Sequence, residues 1–293
     1  MSLNSLFFVT FCKTTRGTRP CPSHASASPR PLFLIPRLWG CSLGVIRKVL
    51  RKTARGYLSW NRSLSLDPWL RYSPVRSILR RSTDLTVGRV LDVGSGTAGL
   101  ASSLAVPTVA LDVAFPGTGP ASQKSLTERV KASATHLPFR NSSFGAVVSI
   151  DMIEHLALDD RPNALRELFR VAEKLVILGF PFGDRSARFD REALEVEHSR
   201  GLSTGWREEH AAHGIPRDAE HAEVLAAATS FHPKARVVWH GHEGIWGLRM
   251  RWKLQFIIPK GSPIYGLAFY PLYWFHRLGR RRNAYRRIYV ARL

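Results

Sequence analysis

Acidic residues are missing from both ends of this 293-residue chain. Residues 1–66 hold eleven Lys/Arg and no Asp or Glu, and residues 244–293 again hold eleven and none. All 22 acids therefore sit in the middle, against 21 bases, although the whole chain carries +21. A near-neutral body with two basic ends suits an anionic surface, either membrane headgroups or nucleic acid. Arg outnumbers Lys 34 to 9, so a GC-rich coding sequence accounts for part of the excess. Cysteine is scarce. Cys12, Cys21 and Cys41 are odd in number and lack zinc-ligand spacing, which argues against a disulfide framework and for a reducing, cytoplasmic setting. The long apolar run of a membrane-spanning helix is also lacking. The apolar part of 262–275 is broken by Pro271 and falls short of the roughly 20 residues required.

The N-terminal part reads as separate from the rest. Residues 1–42 are rich in Ser, Pro and Arg, as transit peptides are. A start codon assigned too far upstream, with translation from near Val45, is the favoured explanation. Residues 43–58 pattern as a basic amphipathic helix, with Leu43, Ile46, Val49, Leu50 and Tyr57 opposite Arg47, Lys48, Arg51, Lys52 and Arg55. Such a helix lies on a membrane surface or packs on its own domain with a solvated basic face.

The chain is organised around Val90-Leu91-Asp92-Val93-Gly94-Ser95-Gly96-Thr97-Ala98-Gly99. An apolar run ending in an acid and then closely spaced glycines predicts a buried strand, a loop and a helix. The Gly-x-Gly-x-x-Gly spacing alone fits a dinucleotide site. Asp92 shifts the balance, because a carboxylate two residues before the first glycine repels a pyrophosphate. It suits a cofactor with an ammonium and a sulfonium group, S-adenosylmethionine. Asp112 ends the next apolar run, about where a ribose hydroxyl is held.

Strands are expected at 88–93, 108–113, 144–150, 174–178, 235–240 and 287–291. Helices are expected over 67–85, 97–105, 124–130 and from Asp160 to about Glu173, with Asp160 as N-cap and Pro162 early in the first turn. Alternating strands and helices imply a mostly parallel α/β sheet.

The segments VLDVGSGTAGL, VALDV, ASATHLPFRNSSFGAVVSIDMIEHL and LFRVAEKLVILGFPFG together resemble a class I S-adenosylmethionine-dependent methyltransferase of the small-molecule, type 11-like kind. The resemblance covers 88–182, about a third of the chain. It implies a Rossmann-like seven-stranded sheet with helices on both faces and an antiparallel last strand. It implies that Asp92, Gly94, Ser95 and Gly96 meet the methionine end of the cofactor and that Asp112 holds the ribose. Adenine falls to Ser133 and Ala134, where the family usually has an acid. Asp151 is implied to face the methyl-transfer site.

Asp151-x-x-Glu154-His155 offers two carboxylates and an imidazole on one helical turn. A divalent metal is one use of such a motif. Octahedral metals usually need more oxygen ligands than it supplies, so a structural helix start is the favoured reading and no metal is expected. His155 is a candidate general base. Residues 183–232 read as a cap carrying Glu209, His210 and His213 on one helical face. Residues 244–284 read as an aromatic and basic arm suited to a membrane interface.

The expected function is methyl transfer to a small-molecule, glycan or lipid-linked acceptor, at an anionic membrane surface if the arm and the basic ends engage one. Two alternatives stand beside it. One is an RNA methyltransferase using the basic ends, although no RNA-binding module and no Asn/Asp-Pro-Pro-Tyr/Phe motif is present. The other is a scaffold that keeps the fold without catalysis.

Overall fold

The computed structural model describes residues 66–82, 89–96, 99–100, 107–115, 127–202, 205–258 and 283–293. All of them lie within one compact unit, residues 50–293. The N-terminal extension, the 43–58 amphipathic pattern, most of the 97–105 helix and the later part of the arm lie outside the described residues.

Helix α1 (Leu66–Arg81) precedes strand β1 (Val90–Val93). Then come β2 (Thr108–Asp112), β3 (Thr127–Lys131), β4 (Phe144–Ile150), α2 (Arg161–Val171) and β5 (Ala172–Pro181). Helices α3 (Gly183–Ser199), α4 (Gly205–His213) and α5 (Asp218–Phe231) follow, before β6 (Arg236–Gly244), α6 (Ile245–Leu254) and β7 (Ala284–Arg292). The strands form one seven-stranded sheet in the order β3-β2-β1-β4-β5-β7-β6. Pairings from β3 through β5 are parallel, and β7 runs antiparallel to both β5 and β6. This is the expected fold class, antiparallel last strand included.

Both sheet faces are covered, which is why the inner strands read as unbroken apolar runs. Alternate residues divide between two cores. On one face Leu91, Val93, Val147, Val176, Leu178 and Phe180 pack with Leu165, Leu168 and Phe169 of α2 and Val224 of α5. On the other, Val90, Val148, Ile150, Ile177 and Ile288 meet Tyr72, Val75 and Leu79 of α1. A third cluster lies under the cap, where Phe189 and Ala193 of α3 meet Leu248 and Trp252 of α6 and Tyr285 of β7.

Several expectations need correction. The 124–130 segment is not a helix where it is described. Residues 127–131 form β3, because an edge strand beside β2 needs only alternate residues facing the sheet. Asp160 makes no side-chain cap. A 3₁₀ turn at Leu158–Asp160 leads directly into α2, so Asp160 already has helical φ and ψ. Only α3 and α4 are available as a cap, since α5 belongs to the layer on the sheet. The start of the arm is not free either. Strand β6 continues to Gly244, and α6 buries Leu248 and Trp252.

Candidate active site

The carboxyl ends of β1, β2 and β4 converge on one edge of the sheet, where ligands bind in open α/β folds. At the end of β1, Gly94 has φ +75° and donates its N–H to Leu111 O at 2.8 Å. A Cβ on Gly94 would sit 2.5 Å from Met152 Cγ, so the turn and the loop after β4 touch at a point that admits only glycine. Gly96, at φ +54°, has open space where its Cβ would be. Its N–H donates to Asp112 Oδ2 at 2.8 Å. The other Asp112 oxygen accepts from Ala114 N–H at 3.1 Å. Both oxygens keep lone pairs for further donors, and the residue is half-buried.

Asp92 lies behind the turn, fully buried. Its Oδ2 accepts from Leu100 N–H at 2.6 Å, which ties the strand to the residue beyond the glycines. Burial pushes its carboxyl up to about 7, against the pull of the Leu100 N–H, with the Asp112 charge adding to the rise. Burial also raises the Tyr72 phenol beside it. Folded Asp92 therefore keeps a proton that the unfolded chain loses near 3.8. Because the folded state binds more protons over this interval, stability falls as pH rises from about 4 to about 7 and levels off above. Asp92→Asn keeps the acceptor and is expected to abolish that slope. Urea denaturation of both proteins across this range checks it; an unchanged slope would show that Asp92 does not set it.

Past β3, Ser133 is exposed and Ala134 buried. Ser133 Oγ contacts Thr135 Oγ1 at 2.8 Å and accepts from Thr135 N–H at 3.2 Å, a local turn that orients the hydroxyl.

The loop after β4 divides what the sequence pattern grouped. Asp151 has φ +54°, unusual for a residue with a side chain. Arg286 of β7 grips it with two donors, Nε at 2.6 Å and Nη2 at 2.7 Å, and Arg71 Nε lies 3.0 Å away. Glu243 of β6 pairs with Arg286 and with Arg251, the latter at 3.1 Å. Two guanidiniums thus engage the Asp151 carboxylate and fix its place in the loop. Glu154 turns the other way, into the cap. The expected shared face for Asp151, Glu154 and His155 fails because the turn spans only Ile153–His155 and Asp151, at φ +54°, lies before it.

Glu154 is fully buried, and neither carboxylate oxygen has a hydrogen-bond partner within the protein. Burial raises its carboxyl well above the ordinary range, and Asp151 adds to the rise. His155 is half-buried, its Nδ1 2.5 Å from Glu209 Oε2. Burial lowers its pKa, as does neighbouring His210, while Glu209 opposes them. His210 of α4 is buried, with Nδ1 2.8 Å from Asp190 Oδ2 and Nε2 3.9 Å from Glu154 Oε1. Tyr285 donates its hydroxyl to Asp190 at 2.7–2.8 Å. The expected common face of α4 resolves into separate uses. Glu209 meets His155, His210 meets Glu154, and the His213 carbonyl accepts from Arg161 at 3.0 Å.

Sequence reasoning missed Arg71, Asp190, Tyr285 and Arg286. Two arginines inside an apolar final strand were a usable signal, since a strand arginine buried by pairing implies a carboxylate opposite. Asp190 carried no such mark.

Residues 91–178 match the methyltransferase domain family. No curated protein matches the chain. Solved structures similar to it include a Galdieria sulphuraria protein bearing the name sarcosine dimethylglycine methyltransferase, with 14% identity over 77% of this chain and 84% of that one and a TM-score of 0.45. Another is the methyltransferase domain of bacterial CtHen1, with 15% identity, coverage of 77% and 99%, and a TM-score of 0.45. A third is the Burkholderia thailandensis 1,6-didemethyltoxoflavin-N1-methyltransferase, which holds 1,6-didemethyltoxoflavin and S-adenosylhomocysteine. It has 12% identity, coverage of 89% and 93%, and a TM-score of 0.42.

Proposed function

From the match of residues 91–178 to the methyltransferase domain family, we propose that this chain is a class I methyltransferase that binds S-adenosylmethionine over the β1 turn and methylates a small-molecule, glycan or lipid-linked acceptor beside His155. The observation that carries the reading is the turn itself. Among the described residues, the space over Gly96 is open, the Asp112 carboxylate borders the same turn, and the buried Ser95 hydroxyl has no partner within the protein. These features fit a ribose and a methionine chain. The cofactor supplies, when bound, a methyl group already activated on a sulfonium.

The residues then divide the work of binding and alignment, from which most of the acceleration of such a transfer can come. Gly94, Ser95 and Gly96 form the cradle for the methionine end, and Asp112 accepts the ribose hydroxyls. Ser133 and Ala134 border the adenine. Asp92 braces the cradle from behind and places negative charge beneath it when ionised. Asp151, clamped by Arg286, holds the loop that carries Met152 against Gly94. His155 turns Nδ1 to Glu209, which leaves Nε2 to take a proton from the acceptor.

Calorimetric titration with S-adenosylmethionine tests the reading. Asp112→Ala is expected to weaken binding on the order of 100-fold, the loss of charge-assisted hydrogen bonds worth about 1.5–3 kcal/mol. Ser133→Asp is expected to tighten it several-fold by giving the adenine amino group a charged acceptor. Folded protein that does not bind millimolar cofactor would instead favour the scaffold alternative.

The acceptor is drawn toward the lipid-linked class by Trp246 and Ile257, which are 64% and 75% exposed at the start of the arm. Lys253 of the same segment is exposed as well, and aromatic and basic groups together suit a membrane interface. Among the described residues no helix is long and apolar enough to cross a membrane. Trp246→Ala with Ile257→Ser is expected to reduce co-sedimentation with anionic vesicles several-fold. Because α6 buries Leu248 and Trp252, these point changes test the idea more cleanly than deleting the arm. Equal sedimentation of variant and parent would overturn the membrane reading.

A further inference from the structure

Under the cap the fold assembles a group of side chains that the proposed methyl transfer does not use fully. One ligating atom from each of Glu154, His155 and His210 lies within 4.8 Å of the other two. Glu154 and His210 are almost wholly inaccessible. Both Glu154 oxygens and His210 Nε2 lack hydrogen-bond partners within the protein, although they face one another at 3.9 Å. Buried polar atoms are nearly always satisfied, so three in one place call for an explanation.

The surroundings supply one. Asp190 holds His210 by Nδ1 and is itself anchored by the Tyr285 hydroxyl. An ionised carboxylate at Nδ1 requires the proton there and leaves the Nε2 lone pair directed at Glu154. Glu209 does the same for His155. A carboxylate behind each imidazole is the arrangement that orients histidine ligands and raises their basicity.

We propose that Glu154, His155 Nε2 and His210 Nε2 bind a divalent first-row transition metal of the zinc, cobalt or manganese type. Two imidazoles and one carboxylate suit zinc and cobalt best and admit manganese, whereas magnesium and calcium favour all-oxygen sites. Metal–ligand bonds of about 2.0–2.2 Å set donor atoms roughly 3–3.5 Å apart, so the 3.9 Å between Glu154 and His210 and the span of the trio, within 4.8 Å, close by side-chain rotation. Three protein ligands leave at least one position open to an oxygen or nitrogen of the acceptor. From the sequence no metal is expected, because Asp151, Glu154 and His155 supply fewer oxygen ligands than an octahedral ion usually needs. The fold removes Asp151 to Arg286 and brings His210 from 55 residues away. Only the role of the ion toward the acceptor rests on the proposed placing of the acceptor beside His155; the metal site itself does not. With metal bound, the His155 lone pair belongs to the ion, and the acceptor is activated by coordination instead of by a free imidazole.

The test uses the full chain, purified without chelator and equilibrated with zinc, cobalt or manganese. One ion per chain is expected after gel filtration, with a raised melting temperature and, for cobalt, visible d–d absorption. Glu154→Gln and His210→Gln are each expected to weaken metal binding at least ~100-fold, and Asp190→Asn about 10–100-fold as an outer-shell change. Calorimetry with S-adenosylmethionine is run alongside. Loss of metal with cofactor binding retained in Glu154→Gln supports the site. Metal binding in a parent chain that ignores the cofactor defeats the methyl-transfer reading and leaves the site standing. Folded parent protein that retains none of the three ions, or a Glu154→Gln protein that binds them as the parent does, overturns the proposal in favour of a protonated Glu154 hydrogen-bonded to His210. If Glu154→Gln does not fold, the parent's metal content, its cobalt spectrum and the Asp190→Asn affinity decide between the two.

Discussion

Replacing Arg286 by alanine is expected to cost the folded state about 3–5 kcal/mol, the usual penalty for leaving a buried charge without its partner. Arg286 is 6% exposed and joins two buried carboxylates on different elements. It grips Asp151 with Nε and Nη2 and also pairs with Glu243 of the neighbouring strand. Without it, Asp151 still has Arg71 and Glu243 still has Arg251. The lower end of the range is expected because those two partners persist. Activity should fall further than stability alone explains. Asp151 is held at φ +54° beside Met152, and release of that loop moves the residue that packs on Gly94. Arg286→Lys restores the charge without the paired donors and is expected to recover about half of the loss. Urea denaturation and cofactor calorimetry on the same proteins measure both effects. A variant within about 0.5 kcal/mol of the parent would place Arg286 outside the structural network, since that is the size of an ordinary surface change.

Arg161→Met is expected to have an effect of similar size by a different route. Arg161 is 1% exposed at the start of α2. Its Nη1 pairs with Glu220 of α5 at 2.5 Å, and Nη2 donates to the carbonyls of His213 and Gly214 at 3.0 and 2.6 Å. Its Nε donates to Leu156 O at 3.2 Å. One side chain thus secures the loop after β4, the end of α4 and α5 to the core. Methionine keeps much of the volume and removes every donor, leaving the buried Glu220 carboxylate without its guanidinium for a loss of about 3–5 kcal/mol. Glu220→Gln in the same chain is expected to return part of that loss, because the stranded charge is then gone. The double-mutant cycle should give a coupling of at least about 1 kcal/mol. Additive single effects would mean that Arg161 and Glu220 do not act as a pair. Since α4 supplies Glu209 and His210, the single variant should also lose methyl transfer at temperatures where it remains folded.

The parallel half of the sheet was legible because its strands are buried on both faces. Leu91, Val147 and Ile177 sit in runs with no polar alternation, and that composition has few other uses. Segment 127–131 was misread because Thr-Glu-Arg-Val-Lys at a sheet edge has neither an apolar run nor an apolar face of helical period. Gly94 and Gly96 were legible for a related reason, since positive φ is a local demand that only glycine meets without strain. Asp112 was legible by its distance from that turn. Its hydrogen bond to Gly96 N–H links two segments that a parallel pairing aligns automatically.

The sequence by itself determined the strand–turn–strand unit and its acid at each strand end, because each depends on residues close together in the chain or aligned by parallel pairing. Tertiary structure alone decided which carboxylate is free. Asp151 and Glu154 are three residues apart and equivalent in composition, yet one meets Arg286 from β7 and the other meets His210 from α4. Ionisation, basicity and ligand capacity depend on neighbours within a few ångströms, and here those neighbours come from 135 and 56 residues away along the chain. No local pattern encodes them.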